Sequence, residues 1–346
     1  MKKYLLPEKG NFYKANLHTH TDLSDGRLSP EEMKELYKRN GYSVIAYTEH
    51  DMLLPHHDLT DENFLALSGY EVEINEEGSP LKPIDKTCHI CFIAKTPDME
   101  VQPLWNERYA CSGNAKKHRD RVKYNENEPP YERTYTPECV NHMIKTGREA
   151  GFFVTYNHPT WSQETYEQYM QYEGMHAMEI YNHSTDIEGY NTYAPHIYKD
   201  MVNSGKKIFA LASDDNHNKN PEGSSHFDSC GGFVMIKADE LKYEKITDAL
   251  FAGNFYASSG PQIYDLYIEN DEIHITCSDA VKIILHTGRR TAKTAIALDG
   301  NTINEAVFPI NYDDLYLRLT VLDANGKFAD TSVYFLEDLN IKGEEE

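Results

Sequence analysis

Residues 15–26 read "ANLHTHTDLSDG", which sets His18 and His20 one residue apart and Asp25 five positions further on. The same kinds of side chain recur downstream at the ends of other short apolar runs. Glu49 and His50 close "YSVIAYTEH", Glu71 ends "NFLALSGYEVE", His89 sits inside "CHICFIA", and His158 closes "FFVTYNHP". Asp215 and His217 fall in "ASDDNH". A lone strand histidine is more often a packed residue than a ligand, and His-x-His by itself says little. Imidazoles and carboxylates recurring in this succession point to a cation site. The mixed nitrogen and oxygen donors suit zinc, manganese or iron, whereas calcium takes oxygen alone.

Such residues can act together only if the chain brings the run ends to one place. Up to about residue 260 the runs alternate with helical segments. "SPEEMKELYKRNG" has Ser29 as N-cap, Pro30 at the first helical position, Glu32 completing a capping box and Gly41 as stop, and "TPECVNHMIKTGREAG" opens in the same way. Strands alternating with helices predict an α/β fold with a parallel sheet, and seven or eight such units predict a closed barrel. In that architecture the strand ends meet at one mouth, where residues i and i+2 of a strand project to the same side. No Gly-rich phosphate loop follows the first strand, which disfavours an open dinucleotide-binding sheet.

Beyond "FYASSGP" the pattern changes to two-residue alternation, with "DG" at 299–300 and "NG" at 325–326 as expected hairpin turns. The reading is a metal-binding barrel over residues 1–262 and a small antiparallel, β-sandwich-like domain over 263–346, ending in the acidic "GEEE". A polar insertion spans about 96–135, and within it Arg108, Lys116, Lys117, Arg119, Arg121 and Lys123 form a basic cluster. An insertion this long without obvious structure is usually functional or disordered.

The 346 residues carry a formal net charge of −22, which argues against binding long duplex nucleic acid or an anionic membrane surface. Bound cations would still let such a chain accept a small anionic substrate. The apolar part of "MKKYLLPEKG" is too short for a secretory core, and no run is long enough to span a bilayer. Six scattered cysteines give no disulfide framework, so a cytoplasmic protein with free thiols is expected. Cys88 and Cys91 ("CHIC") read as buried strand thiols, because no second Cys-x-x-Cys accompanies them. Most of the 25 tyrosines are expected to be packing residues.

The pieces "NLHTHTDLSDG", "VIAYTEHD", "LSGYEVE", "CHICFIA", "YNHP" and "ASDDNH", in this order over about residues 13–260, resemble the polymerase-and-histidinol-phosphatase (PHP) superfamily. "NFYASSGPQIYDL" is similar to the junction of its two-domain members. The resemblance implies a distorted (β/α)7 barrel with up to three divalent ions, a trinuclear metal centre. It implies His18, His20, Glu71 and Asp215 on one ion, Glu71, His89 and His158 on a second, and Asp25, His50 and His217 on a third. Two positions depart from the pattern. Glu49 stands where the family has Asp, and "SDDNH" offers Asp214 beside Asp215. Asp215 keeps the Asp-x-His spacing, and Asp214 remains a competitor that could support it.

Ions a few ångströms apart can share a water, lower its pKa, and present a metal-bridging hydroxide to phosphorus. The sequence has no Gly-x-Ser-x-Gly elbow and no Walker loop. The leading expectation is therefore a hydrolase: a metal-dependent phosphoesterase acting on a small phosphorylated metabolite, nucleotide or short oligonucleotide. The alternatives are amidohydrolase-like cleavage of a C–N or C–O bond at the same centre, and a non-catalytic protein stapled by its metals. His183 in "YNHST" is a candidate proton donor, with a surface loop histidine as the plain alternative. Arg119 and Arg121 are candidate phosphate clamps.

Overall fold

The computed structural model describes residues 2–76 and 86–339. In chain order its elements are β1 (Lys3–Tyr4), β2 (Asn11–Asn16), α1 (Pro30–Arg39), β3 (Val44–Tyr47), β4 (Leu65–Asn75) and β5 (Thr87–Ala94). Then come β6 (Val101–Gln102), β7 (Lys123–Tyr124), α2 (Pro137–Glu149), β8 (Phe152–Tyr156), α3 (Tyr166–Tyr169), β9 (Ala177–Asn182), α4 (His183–Ile187), α5 (Pro195–Asn203) and β10 (Phe209–Ser213). The remainder is β11 (Phe233–Ala238), α6 (Tyr243–Phe251), β12 (Phe255–Ser258), β13 (Ile263–Glu269), β14 (Glu272–Ala280), β15 (Lys282–His286), β16 (Lys293–Ile296), β17 (Ile303–Pro309), β18 (Tyr316–Leu322), β19 (Phe328–Thr331), β20 (Tyr334–Phe335) and α7 (Leu336–Leu339). Ser29 and Glu32 form the predicted capping box of α1, and Thr136 caps α2.

The fold is mixed α/β around one large sheet, in which the strands run β10-β9-β8-β5-β4-β3-β2 and continue into β11 and β12. β2, β3 and β4 are parallel, as are β8, β9 and β10. β5 is antiparallel to both of its neighbours, which corrects the expectation of a wholly parallel sheet. A parallel pair needs a crossover of about a dozen residues or more, and the link from Asn75 to Thr87 is shorter than that. This places His89 opposite Glu73 partway along a ladder, rather than at a strand end.

The free edge of β2 is used twice. Residues 11–15 pair with β11, and beyond the strand Thr19 bridges to Asn216, just after β10. His20 N donates to the Asn216 carbonyl (3.2 Å) and Asp215 N to that of His18 (3.0 Å). The two ends of the seven-strand run therefore meet on the side where the strands finish.

The large sheet runs on through β12, β19, β18, β15 and β16, and a second antiparallel sheet, β1-β13-β14-β17, faces this extension. Between them lie Ile263, Leu266, Ile273, Ile275, Ile283, Leu285, Leu319 and Val321. The alternating burial of β14 and β15 is the two-residue pattern seen in the sequence. Leu5 and Leu6 join this core, because β1 pairs with β13. "NG" 325–326 makes the predicted hairpin of β18 and β19, with the Asp323 carboxylate accepting from Asn325 N and Lys327 N. "DG" 299–300 does not make one: β16 pairs with β15 and β17 with β14, so this turn carries the chain from one sheet to the other. "GEEE" lies outside the described residues.

The insertion has more order than expected. β6 and β7 pair in parallel, and Ala110, Ala115 and Val122 pack with Leu23, Met52 and Leu54 against Trp105. Asn114 N donates to the Ser24 carbonyl (2.6 Å). Gly113, at φ +51°, lies so close to Ser24 and Asp25 that a Cβ would collide with their backbone. The insertion is thus seated on the loop that carries Asp25.

One buried carboxyl makes stability depend on pH. Glu164 accepts hydrogen bonds from Tyr156 (2.5 Å), Tyr135 (3.0 Å) and Tyr172. Burial, only partly offset by these hydroxyls, raises its pKa from 4.5 to about 7. A carboxyl whose folded pKa is raised stabilises fully below the unfolded value, and that contribution is lost as pH rises through the folded one. The shift corresponds to about 3 kcal/mol lost between pH 4.5 and 7. Glu164→Gln should remove this slope, so urea titrations at pH 5 and pH 8 should differ less for the variant than for the parent. Equal slopes would refute the assignment.

Candidate metal centre

All nine predicted ligands come together. His18 and His20 follow β2, His50 follows β3, Glu71 is in β4 and His89 in β5, His158 follows β8, and Asp215 and His217 follow β10. Asp25 reaches in from the loop after His20. His18 Nε2 lies 3.1 Å from Glu71 Oε1, 3.2 Å from Asp215 Oδ1 and 3.1 Å from His20 Nε2. His20 Nε2 is 3.1 Å from Asp215 Oδ1 and 3.3 Å from Glu71 Oε2. Donor atoms held about 2.0–2.2 Å from one cation are separated from each other by roughly 2.8–3.6 Å, from octahedral to tetrahedral geometry.

Two further groupings adjoin this one. Glu71 Oε1 is 3.0 Å from His89 Nδ1 and 3.3 Å from His158 Nε2, and Glu71 Oε2 is 3.2 Å from His50 Nδ1. Asp25 lies 3.6 Å from His50 Nε2 and 3.4 Å from His217 Nε2, with His20 in the same cluster. His158 (φ +24°) and Asp215 (φ +52°) hold backbone conformations that non-glycine residues rarely adopt, as functional residues often do.

A cation fits this donor set. Among the described residues, His20 Nδ1, His50 Nδ1 and Glu71 Oε2 are buried without a hydrogen-bond partner, a cost that a bound ion would remove. Burial alone would raise the Glu71 carboxyl, but His18, His89 and His158 hold it well below the ordinary range. Asp215 is likewise held down against burial, by His18, His20 and His158, and Asp25 by His217 and His50. Burial opposes charge on His18 and His20, yet Asp215 and Glu71 keep both rings well above the usual histidine value. The carboxylates therefore remain ionised and favour positive charge at the centre. Burial and the neighbouring His20 push His50 down to about 4, leaving a neutral donor ring.

The supporting residues explain why the ligands stand where they do. Glu179, in β9, takes His18 Nδ1 at 2.8 Å, His158 N at 2.8 Å and Asn182 Nδ2 at 2.9 Å. A carboxylate on the far nitrogen fixes the ring and makes it a better donor. Glu179 was not picked out from the sequence, although a glutamate inside the apolar run "AMEIYN" was the available signal. Glu49 accepts from Thr21 N (3.1 Å), Thr21 Oγ1 and Ser24 Oγ, and so pins the loop between His20 and Asp25. Asp214 accepts from Tyr37 and from the backbone N–H of Cys230, Gly231 and Gly232. Its carboxylate is committed to that loop, and Asp215 is the one that joins the cluster.

His183 opens α4, with Nδ1 3.0 Å from Tyr181 OH and its ring against Gly231. Arg119 pairs with Glu107 at 2.5 Å, and Arg121 lines a surface depression with His57 and Asp58. Among the described residues no hydrogen bond or ion pair joins His183, Arg119 or Arg121 to the nine ligands. Trp161 does border them, its ring 5.4 Å from His89 and 5.0 Å from His158. Cys88 and Cys91 are buried and unoxidised.

No protein-family model matches the chain, and no curated protein matches its sequence. Among solved structures, the chain is similar to a two-domain protein of Bacteroides vulgatus described as containing a PHP-like metal-dependent phosphoesterase. The identity is 14%, over 96% of this chain and 98% of that one, with a TM-score of 0.46. It is also similar to a protein of Bifidobacterium adolescentis described as a metal-dependent phosphoesterase (14% identity, 63% of this chain and 91% of that one, TM-score 0.34). An amidohydrolase from Chromobacterium violaceum matches at 16% identity over 59% of this chain and 87% of that one (TM-score 0.36).

Proposed function

We propose that this chain is a metal-dependent phosphoesterase of the PHP type, acting on a small phosphorylated molecule. The reading rests on one observation: the donor atoms of His18 and His20 lie 3.1–3.3 Å from each other and from those of Glu71 and Asp215, in a buried cluster that Asp25, His50, His89, His158 and His217 extend. The seven strands β2, β3, β4, β5, β8, β9 and β10 are read as a distorted barrel within residues 1–262, and residues 263–346 as a small β domain.

Two to three divalent ions, of zinc, manganese or iron, would be held by His18, His20, Glu71 and Asp215, by Glu71, His89 and His158, and by Asp25, His50 and His217. Bound there, they would supply Lewis acidity toward phosphoryl oxygens and lower the pKa of water. The chain's own part is to hold the donors still. Glu179 orients His18, Glu49 fixes the Asp25 loop, and the insertion is seated on that loop.

The test is to strip the protein with a chelator, reload it with zinc, manganese or iron, and assay phosphate release from a panel of mono- and diesters, with amides and lactones in parallel. Metal-dependent phosphate release is expected, lost on stripping and restored on reloading. Turnover confined to amides or lactones would transfer the centre to carbon chemistry. Metals that raise stability without any turnover would make it a structural staple.

A further inference from the structure

A cavity of about 240 Å³ lies between α5 and the strands β15 and β18, and shares no residue with the nine ligands. Tyr198, Lys199, His286, Thr287, Arg289 and Arg318 line it, and no aspartate or glutamate is among its lining residues. In a chain of net charge −22 that is an unusual local balance.

Arg318 is 6% exposed. Its Nη2 lies 3.3 Å from Thr320 Oγ1 and 3.5 Å from Asp330 Oδ1, while its Nη1 has no partner among the described residues. An unsatisfied buried guanidinium nitrogen is costly, and the side chain that carries it is one of the cavity's lining residues. Lys199 makes no ion pair among the described residues, and Arg289 is held through Nε to the Asp313 carbonyl (2.5 Å). Asp314 lies beside Arg289 and Asp330 beside Arg318, yet neither lines the cavity. His286 reports the same field: burial, with Arg318, Lys199 and Lys282, pushes it down to about 3, so it stays neutral as Nε2 meets Thr320 Oγ1 (3.0 Å).

We propose that this cavity binds the phosphoryl group of a small molecule, with Arg318, Lys199 and Arg289 as its cationic partners and the Thr287 hydroxyl as a further hydrogen-bonding group. The cationic residues that line it come from a helix, a loop and a strand, which suits a tetrahedral, multiply charged oxyanion better than a planar monocarboxylate. The site stands independently of the metal centre.

Inorganic phosphate titrated calorimetrically into the full chain, in excess chelator and at fixed ionic strength, tests it, because chelation removes metal-borne phosphate binding. Stoichiometric binding is expected in the parent. It should weaken roughly 10-fold or more in the Lys199→Glu/Arg289→Glu double variant, whose two positions are exposed and whose fold circular dichroism would verify. Acetate at equal concentration should fail to compete. No binding by the chelated parent, undiminished binding by the double variant, or equal competition by acetate would each overturn the proposal.

Discussion

Glu71→Gln is expected to cost the protein at least one bound metal ion and to lower phosphate release by two to three orders of magnitude or more. Glu71 Oε1 lies within 3.3 Å of His18, His89 and His158, and Oε2 within 3.3 Å of His20 and His50. One carboxylate thus faces five imidazoles, and among the described residues no other in the cluster meets so many. Gln keeps the shape and volume and deletes only the charge, so core packing is left intact. The amide also places an N–H₂ where a metal ligand needs a lone pair. Metal content by elemental analysis, read beside phosphate release and circular dichroism, separates loss of ions from loss of fold. A folded Glu71→Gln protein with the parent's metal content and turnover would remove the basis for the proposed chemistry.

The contrast between the nine ligands and their supports shows what a sequence displays. Ligands such as His18, His50 and His158 stand at the ends of apolar runs, and a sheet whose strands finish on one side must gather such ends. Strand direction is less visible. The run "HICFIA" gives the same side-chain pattern whichever way it lies, and only the short link from β4 makes β5 antiparallel. The same holds for "DG" 299–300, where the dipeptide specifies a tight turn and not which strands it joins. Glu179 is hard to see in the sequence, because it stands in mid-strand and its partner His18 is 161 residues away. Arg133 was missed for another reason. In a polar segment with several cations, what decides which one is buried is the surface it folds against, and that surface comes from elsewhere in the chain.

Arg133 therefore supplies the second large effect. Its Nη2 meets Asp51 Oδ1, its Nη1 donates to the Glu73 carbonyl (2.9 Å), and its guanidinium lies 4.1 Å from the Tyr109 ring centroid. Both side chains of the pair are almost wholly buried, and burial pushes Asp51 up to about 6 even against the pull of Arg133. Breaking such a pair on one side leaves an uncompensated buried charge, at a cost of about 3–5 kcal/mol. Arg133→Met should lose stability of that order in urea titration, whereas Asp51→Asn/Arg133→Met should recover most of it, since no lone charge is then left in the interior. The damage should also reach the centre. Asp51 directly follows His50, and its N–H donates to the Glu71 carbonyl at 2.6 Å, so loosening this joint displaces a ligand-bearing segment. A single variant within about 1 kcal/mol of the parent, or a double variant no better than the single, would show that the insertion is held by its apolar contacts to Leu23, Met52 and Leu54 and not by this ion pair.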